Sequence, residues 1–216
     1  RGACGGSALR LDGRLLAGTP WLELVLHVAW RQRHELLRLE IPLAQPAQRW
    51  AADTSGGVIE RPAQAQTPRE RERWEVPAIS WLASENGSGG VAVLLDGPQG
   101  VSAGPEHLGV SLLRGATWPD PGADNGFQRQ RLALMACPGG WRAAAVPRQA
   151  RKLREPLWCQ PAGEASAGWT PLPPLGDDLA LVGLRPAGEG CGDAILSVQN
   201  ETWLFFPTTT ICRAFL

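Results

Sequence analysis

A chain of 216 residues, 44% apolar and 19% charged, is long enough to bury roughly 70% of its unfolded surface, so it needs neither disulfides nor a metal to hold a core. Lysine plus arginine and aspartate plus glutamate balance at 21 each, which excludes the strongly basic field of a nucleic-acid or membrane-surface binder. No stretch approaches the roughly 18 apolar residues of a membrane-spanning helix, and the first residues lack the charged-then-apolar plan of a signal peptide.

The basic residues are scattered arginines, with Lys152 the sole lysine, and scattered arginine reads as solvated surface. Only residues 69–73 approach a cluster, and there Arg69, Arg71 and Arg73 alternate with Glu70 and Glu72, so the net field is small. Cys4, Cys137, Cys159, Cys191 and Cys212 are odd in number and never spaced C-x-x-C, a pattern of reduced thiols and a cytoplasmic setting. The chain starts at Arg1 and has one methionine, Met135, so it is expected to be a segment of a longer protein.

In chain order, the first clear element is residues 21–30, where Leu22, Leu24, Leu26, Val28 and Trp30 share one face at period two. A polar turn at residues 31–34 leads to a second alternating run, Leu37, Leu39, Ile41 and Leu43, and the pair is predicted to form an antiparallel hairpin with both stripes facing inward. Further strands are predicted over residues 74–81, 91–95, 108–114, 129–135, 179–184 and 194–199. Turns rich in the 26 glycines and 19 prolines punctuate them, and no helix longer than two turns is expected. Residues 61–73 and 160–176 read as exposed connections. The pattern is that of an all-β, antiparallel β-sandwich.

Few residues offer chemistry. His27, His34 and His107 lack the close pairing of a zinc site, so no metal site is expected in the chain. The glycine run at residues 86–90 precedes no helix pattern and reads as an inter-strand loop rather than a phosphate cradle. No nucleophile elbow or Walker loop is present, and no catalytic residue is assigned.

The densest polar stretch is residues 114–126, with Arg114, Trp118, Asp120 and Asp124 set among Pro119, Pro121 and Asn125. It admits two readings: a proline-stiffened turn whose carboxylates cap backbone groups, or a ligand loop with a guanidinium, two carboxylates and an indole able to stack on a sugar. Pro119 and Pro121 each lack an N–H, so the segment cannot return as a simple hairpin and must project from the sheet rim.

At this loop the sequence resembles the family 38 glycoside hydrolases, the α-mannosidase family. Residues 109–114 (GVSLLR), then 118–121 (WPDP) and 123–126 (ADNG), are similar to the family's L-S-L-L-R, W-P-D-P and A-D-x-G elements. Residues 30–37 (WRQRHELL), 58–62 (VIERP), 74–77 (WEVP) with Trp81, and 90–96 (GVAVLLD) follow the family in the same order. The resemblance spans about residues 20–145, with a weaker echo over 179–196. Departures are Gln128 for the usual histidine, ACPGGW over 136–141 for P-H-x-G-D-W, Pro98-Gln99 for K-Y, and residues 199–216, which do not follow the family.

The resemblance implies that residues 1–216 form part of the C-terminal β-supersandwich, a galactose-mutarotase-like fold, of an α-mannosidase. The catalytic domain, with its zinc ion and the nucleophile of a retaining mechanism, would lie outside these residues. That domain and α-mannoside glycans are then the expected partners, with no nucleic acid and no membrane. The resemblance also gives Arg114 a role, reaching from the sandwich to the sugar site. The alternative for Arg114 is a salt bridge to Asp120 or Asp124. The rival for the whole chain is a free-standing carbohydrate-binding or scaffold β-sandwich without chemistry.

Overall fold

The computed structural model describes residues 2–155, 179–188, 193–200 and 210–215. Strands are β1 (Gly2–Cys4), β2 (Ser7–Leu15), β3 (Trp21–Trp30), β4 (Leu36–Pro42), β5 (Arg49–Thr54), β6 (Gly57–Pro62), β7 (Val76–Ala78) and β8 (Trp81–Glu85). They continue as β9 (Gly89–Leu95), β10 (Gln99–Ala103), β11 (His107–Arg114), β12 (Gly126–Pro138), β13 (Leu179–Pro186), β14 (Asp193–Asn200) and β15 (Thr210–Phe215). Three helices are described: α1 (Pro68–Arg71), α2 (Gly140–Ala143) and α3 (Val146–Arg154).

An eight-stranded sheet runs β1-β2-β3-β12-β9-β8-β5-β6, a four-stranded sheet runs β4-β11-β10-β7, and β13-β14-β15 form a third. The strand pairs in all three are antiparallel. The first two sheets pack face to face. Val28, Trp30, Leu82, Val93 and Leu95 from the large sheet meet Val101, Leu108 and Val110 from the small one in one core. The all-β sandwich is therefore the observed class.

The hairpin expected over residues 21–43 does not form. β3 pairs with β2 and β12 in the large sheet, whereas β4 pairs with β11 in the small one. The two stripes do face each other, but across the sandwich rather than along a ladder: Leu24, Leu26, Val28 and Trp30 share a core with Leu37, Leu39 and Ile41. Alternation fixes which face is apolar but not which strand is the neighbour. Leu22, expected inside, is 38% exposed because it lies toward the end of the stripe, opposite the exposed Leu15 of the edge region.

The single strand expected over residues 74–81 is split between sheets. β7 belongs to the small sheet and β8 to the large one, and the switch at Ile79–Ser80 is held by Asp53. Its Oδ1 accepts from the backbone N–H groups of Ile79 (3.0 Å), Ser80 (2.9 Å) and Trp81 (3.1 Å), and its other oxygen bonds the Ser80 hydroxyl. One carboxylate thus satisfies donors that leave one ladder before entering the next.

The other departure is α3, at nine residues longer than the two turns expected. Val146, Ala150 and Leu153 recur at i, i+4 and i+7 and lie buried against the outer face of the large sheet, in a second core with Trp21, Trp81, Ala92, Leu94 and Met135. The large sheet is therefore covered on both faces, which is why Trp81-Leu82-Ala83 and Ala92-Val93-Leu94-Leu95 are continuously buried rather than alternating. Cys137 sits in this second core, where burial pushes its thiol up to about 12. β13 and β14 fall where strands were expected, and the connection expected over 160–176 lies outside the described residues.

Candidate functional site

The small sheet places the residue-114 loop at a rim. β11 ends at Arg114 opposite Leu36, the first residue of β4, after a register shift between Ser111 and Leu113. The chain then leaves the small sheet and re-enters the large one as β12, between β3 and β9. No hairpin return occurs, in keeping with the prolines, and the loop projects between the sheets.

Two clasps set its shape. At the base, the Asp124 carboxylate accepts the Arg114 backbone N–H at 2.7 Å, with Asp124 itself in the left-handed region at φ 64°. Laterally, Gly115 is laced to the β3–β4 turn: its carbonyl accepts from His34 N–H at 2.6 Å, and its own N–H donates to the Glu35 carbonyl at 3.0 Å. A Cβ on Gly115 would collide with the Gln32 backbone carbonyl, so only glycine permits this approach. Gly115→Ala is expected to cost about 1–3 kcal/mol, as overpacking against backbone does. A urea midpoint equal to that of the parent chain would show that the clasp does not hold the loop.

The four predicted site residues separate into two roles. Arg114 and Trp118 line one open cleft of about 520 Å³, and Trp118 is 84% exposed. Asp120 and Asp124 are turned to the loop's own backbone, Asp120 accepting the Gly122 N–H at 2.9 Å and Asp124 the Arg114 N–H. The salt bridge weighed for Arg114 is not formed: among the described residues its guanidinium has no ion pair or hydrogen bond. The structural work is done by the carboxylates on main-chain donors, which leaves the guanidinium in solvent.

Sequence reasoning did not place His34, Glu35 and Glu75 in the cleft with Arg114, Thr117 and Trp118. His34 Nε2 and Thr117 Oγ1 lie 3.3 Å apart across it. Glu75 is anchored by Arg38 and by the Ser111 hydroxyl, so its charge is neutralised at the cleft wall. Their only advance signal was membership of the stretches 30–37 and 74–77, which are brought to the rim by two different connections. The arrangement offers hydrogen-bond donors, one uncommitted cation and a flat indole face, a combination suited to a polyhydroxylated ring. Among the described residues, no group of three or more histidine, cysteine, aspartate or glutamate side chains converges to hold a metal.

Fold and rim together define a class: an antiparallel β-sandwich domain with an open polar cleft at one edge of the smaller sheet. The family profile "Glycosyl hydrolases family 38 C-terminal domain" matches residues 3–122, more than half of the chain, and the chain belongs to that family. The match starts earlier than the expected residue 20, taking in β1 and β2, and stops within the residue-114 loop.

Alpha-mannosidase 2C1 of Homo sapiens is 31% identical over 156 residues, covering 72% of this chain and 15% of that protein. Alpha-mannosidase G of Dictyostelium discoideum is 28% identical over 127 residues, covering 59% of this chain and 12% of that protein. A crystal structure of an alpha-mannosidase from Enterococcus faecalis V583 superposes with a TM-score of 0.66 over 89% of this chain and 23% of that chain. At 15% identity this is likeness of fold alone. The chain thus spans only 12–15% of the length of these curated relatives.

Proposed function

We propose that the chain is the non-catalytic β-sandwich portion of an α-mannosidase-like glycoside hydrolase, supporting a separate active-site domain and presenting Arg114 toward bound α-mannoside. The observation that carries this reading is the family match over residues 3–122 in a chain spanning about 15% of the length of proteins named alpha-mannosidase. In this reading the catalytic domain lies outside the 216 residues and performs retaining hydrolysis with two positioned carboxyl groups and a zinc ion. The described side chains do not fit a zinc ion, so no step of that chemistry is assigned to them. The absence of paired cysteine spacing supports a cytoplasmic location.

The pure chain is expected to release no aryl leaving group from an aryl α-mannoside, with or without added zinc, above a heat-killed control. Turnover above that control would overturn the reading. Trp118, 84% exposed, favours a second reading, a free-standing glycan-binding module. Saturable binding of a mannose oligosaccharide by the isolated chain, abolished by Trp118→Ala, would select it.

A further inference from the structure

A second cavity, of about 270 Å³, opens where the end of β6 and the turn around α1 face β7 and β10. Its floor is the indole of Trp50, 6% exposed, with the Arg61 guanidinium stacked 4.9 Å from the ring centroid. Arg61 Nη1 donates to the Ile59 carbonyl at 3.3 Å, a weak contact, while its Nε is buried with no acceptor. Arg73 lines the same cavity, and Trp74, 85% exposed, forms its lip. Burial, and after it the neighbouring charge of Arg73, pull the Arg61 pKa below its ordinary value.

Three carboxylates also line this cavity, and none pairs with Arg61. Glu60 is held by Arg142 at 2.6 Å and Arg49 at 3.2 Å. One oxygen of Glu70 accepts the Gln66 and Thr67 backbone N–H groups at 2.8 and 2.9 Å, closing the cap of α1, although the carboxylate still feels Arg73. Glu75 is held by Arg38 and Ser111. What remains is two guanidinium groups facing one carboxylate, Glu70, that main-chain donors hold without neutralising, and a buried Arg61 donor without an acceptor. An anion placed between the two guanidinium groups relieves their mutual repulsion, and its oxygens are charged acceptors for their N–H groups.

We propose that this cavity binds an oxyanion carried on a sugar ring, a carboxylate or a phosphate ester, clamped between Arg61 and Arg73 with the ring's apolar face against Trp74. The guanidinium fork of Arg61 is already immobilised on Trp50, so little rotamer freedom is lost on binding. The site is separate from the residue-114 cleft and stands independently of the mannosidase reading, although Glu75 forms part of both walls.

The test titrates the nitrogen-labelled chain with inorganic phosphate, with glucuronate and with neutral glucose at constant ionic strength, following the Arg61 Nε–Hε cross-peak. A saturable shift with phosphate or glucuronate, and none with glucose, is expected. Response to only one anion identifies the source, a phosphate ester or a uronic acid. Arg61→Gln also removes the stack on Trp50 and risks the fold, so the decisive variant is Arg73→Gln in the exposed turn. Losing one charge-assisted contact there should weaken binding about tenfold, while Arg69→Gln, whose side chain does not line the cavity, leaves it unchanged. No saturable shift with either anion, an equal response to glucose, or unchanged affinity in Arg73→Gln would overturn the proposal.

Discussion

Replacing Arg114 by alanine is expected to leave the melting temperature of the sandwich nearly unchanged while lowering the α-mannosidase activity proposed for the longer parent protein tenfold to a hundredfold. The stability half of this expectation follows from the loop's construction. Asp124 grips the Arg114 backbone N–H and Gly115 is fixed to His34 and Glu35, and all three bonds survive the loss of the side chain. The guanidinium has no described partner to lose, so the change should fall within the roughly ±0.5 kcal/mol of an exposed substitution.

The activity half rests on the proposed function. A charged donor lost from a sugar site costs about 1.5–3 kcal/mol, which is the stated factor if the contact persists in the transition state. Asp124→Ala supplies the contrast, because it frees the loop base and should lower both melting temperature and activity. Full activity in Arg114→Ala with an unchanged midpoint would remove Arg114 from the site.

The limits of reading this fold from its sequence show in particular residues. Leu24, Leu26, Val28 and Trp30 were correctly seen as one buried stripe because period two is a property of a single strand. Pairing β3 with β12 rather than β4 depends on partners about a hundred residues away, and no local pattern encodes that. β5 was invisible as a strand because Arg49-Trp50-Ala51-Ala52 does not alternate, both of its faces being covered. α3 was missed because four basic residues surround its three apolar anchors, and Ala145 in front of it offers no side-chain cap.

The candidate cleft was half legible for a related reason. Arg114 and Trp118 share one loop, and their context stood out in composition. His34 and Glu75 arrive from other connections. The carboxylates Asp120 and Asp124 were chemically correct for either reading, and only geometry shows them committed to main-chain donors. The anion-seeking cavity around Arg61 was read as an exposed connection, because alternating Arg and Glu over 69–73 cancel as a sum of charges. In three dimensions Glu60 and Glu75 are paired with other arginines and Glu70 sits on main-chain donors beside Arg73, so no lining carboxylate pairs with Arg61.

Glu23 carries the largest expected loss of stability. Its carboxylate, 4% exposed, accepts from Arg14 of β2 at 2.8 Å and from Arg131 of β12 at 3.0 Å, bridging three adjacent strands. Arg131 continues the chain of contacts by donating to the Leu153 carbonyl at 2.8 Å, one of the last-turn acceptors that α3 cannot satisfy itself. Glu23→Ala would leave Arg131, itself 26% exposed, with only Asp96 at 3.6 Å and the Leu153 carbonyl as partners, and loosen the helix end. The expected cost is about 3 kcal/mol, the low end for breaking a buried pair, because Arg14 at 62% exposure can rehydrate. For a chain of this length that is a fall in melting temperature of about 6–12 °C.

The same site predicts a pH dependence. The Arg131 hydrogen bond lowers the Glu23 pKa, and with Arg14 it outweighs the opposing effect of burial, so the folded pKa lies below the unfolded one. Glu23 therefore stabilises fully above the unfolded value, about 4.3, and that contribution disappears as pH falls through the folded value. Glu60 and Glu70 are shifted in the same direction, so the acid limb of the parent chain alone does not isolate Glu23. The difference between parent and Glu23→Gln does, because the other carboxylates are common to both. Urea midpoints of the two proteins should differ most at neutral pH and converge as pH drops below about 4. A difference that stays constant through the acid range would show that Glu23 contributes by packing and not by its charge.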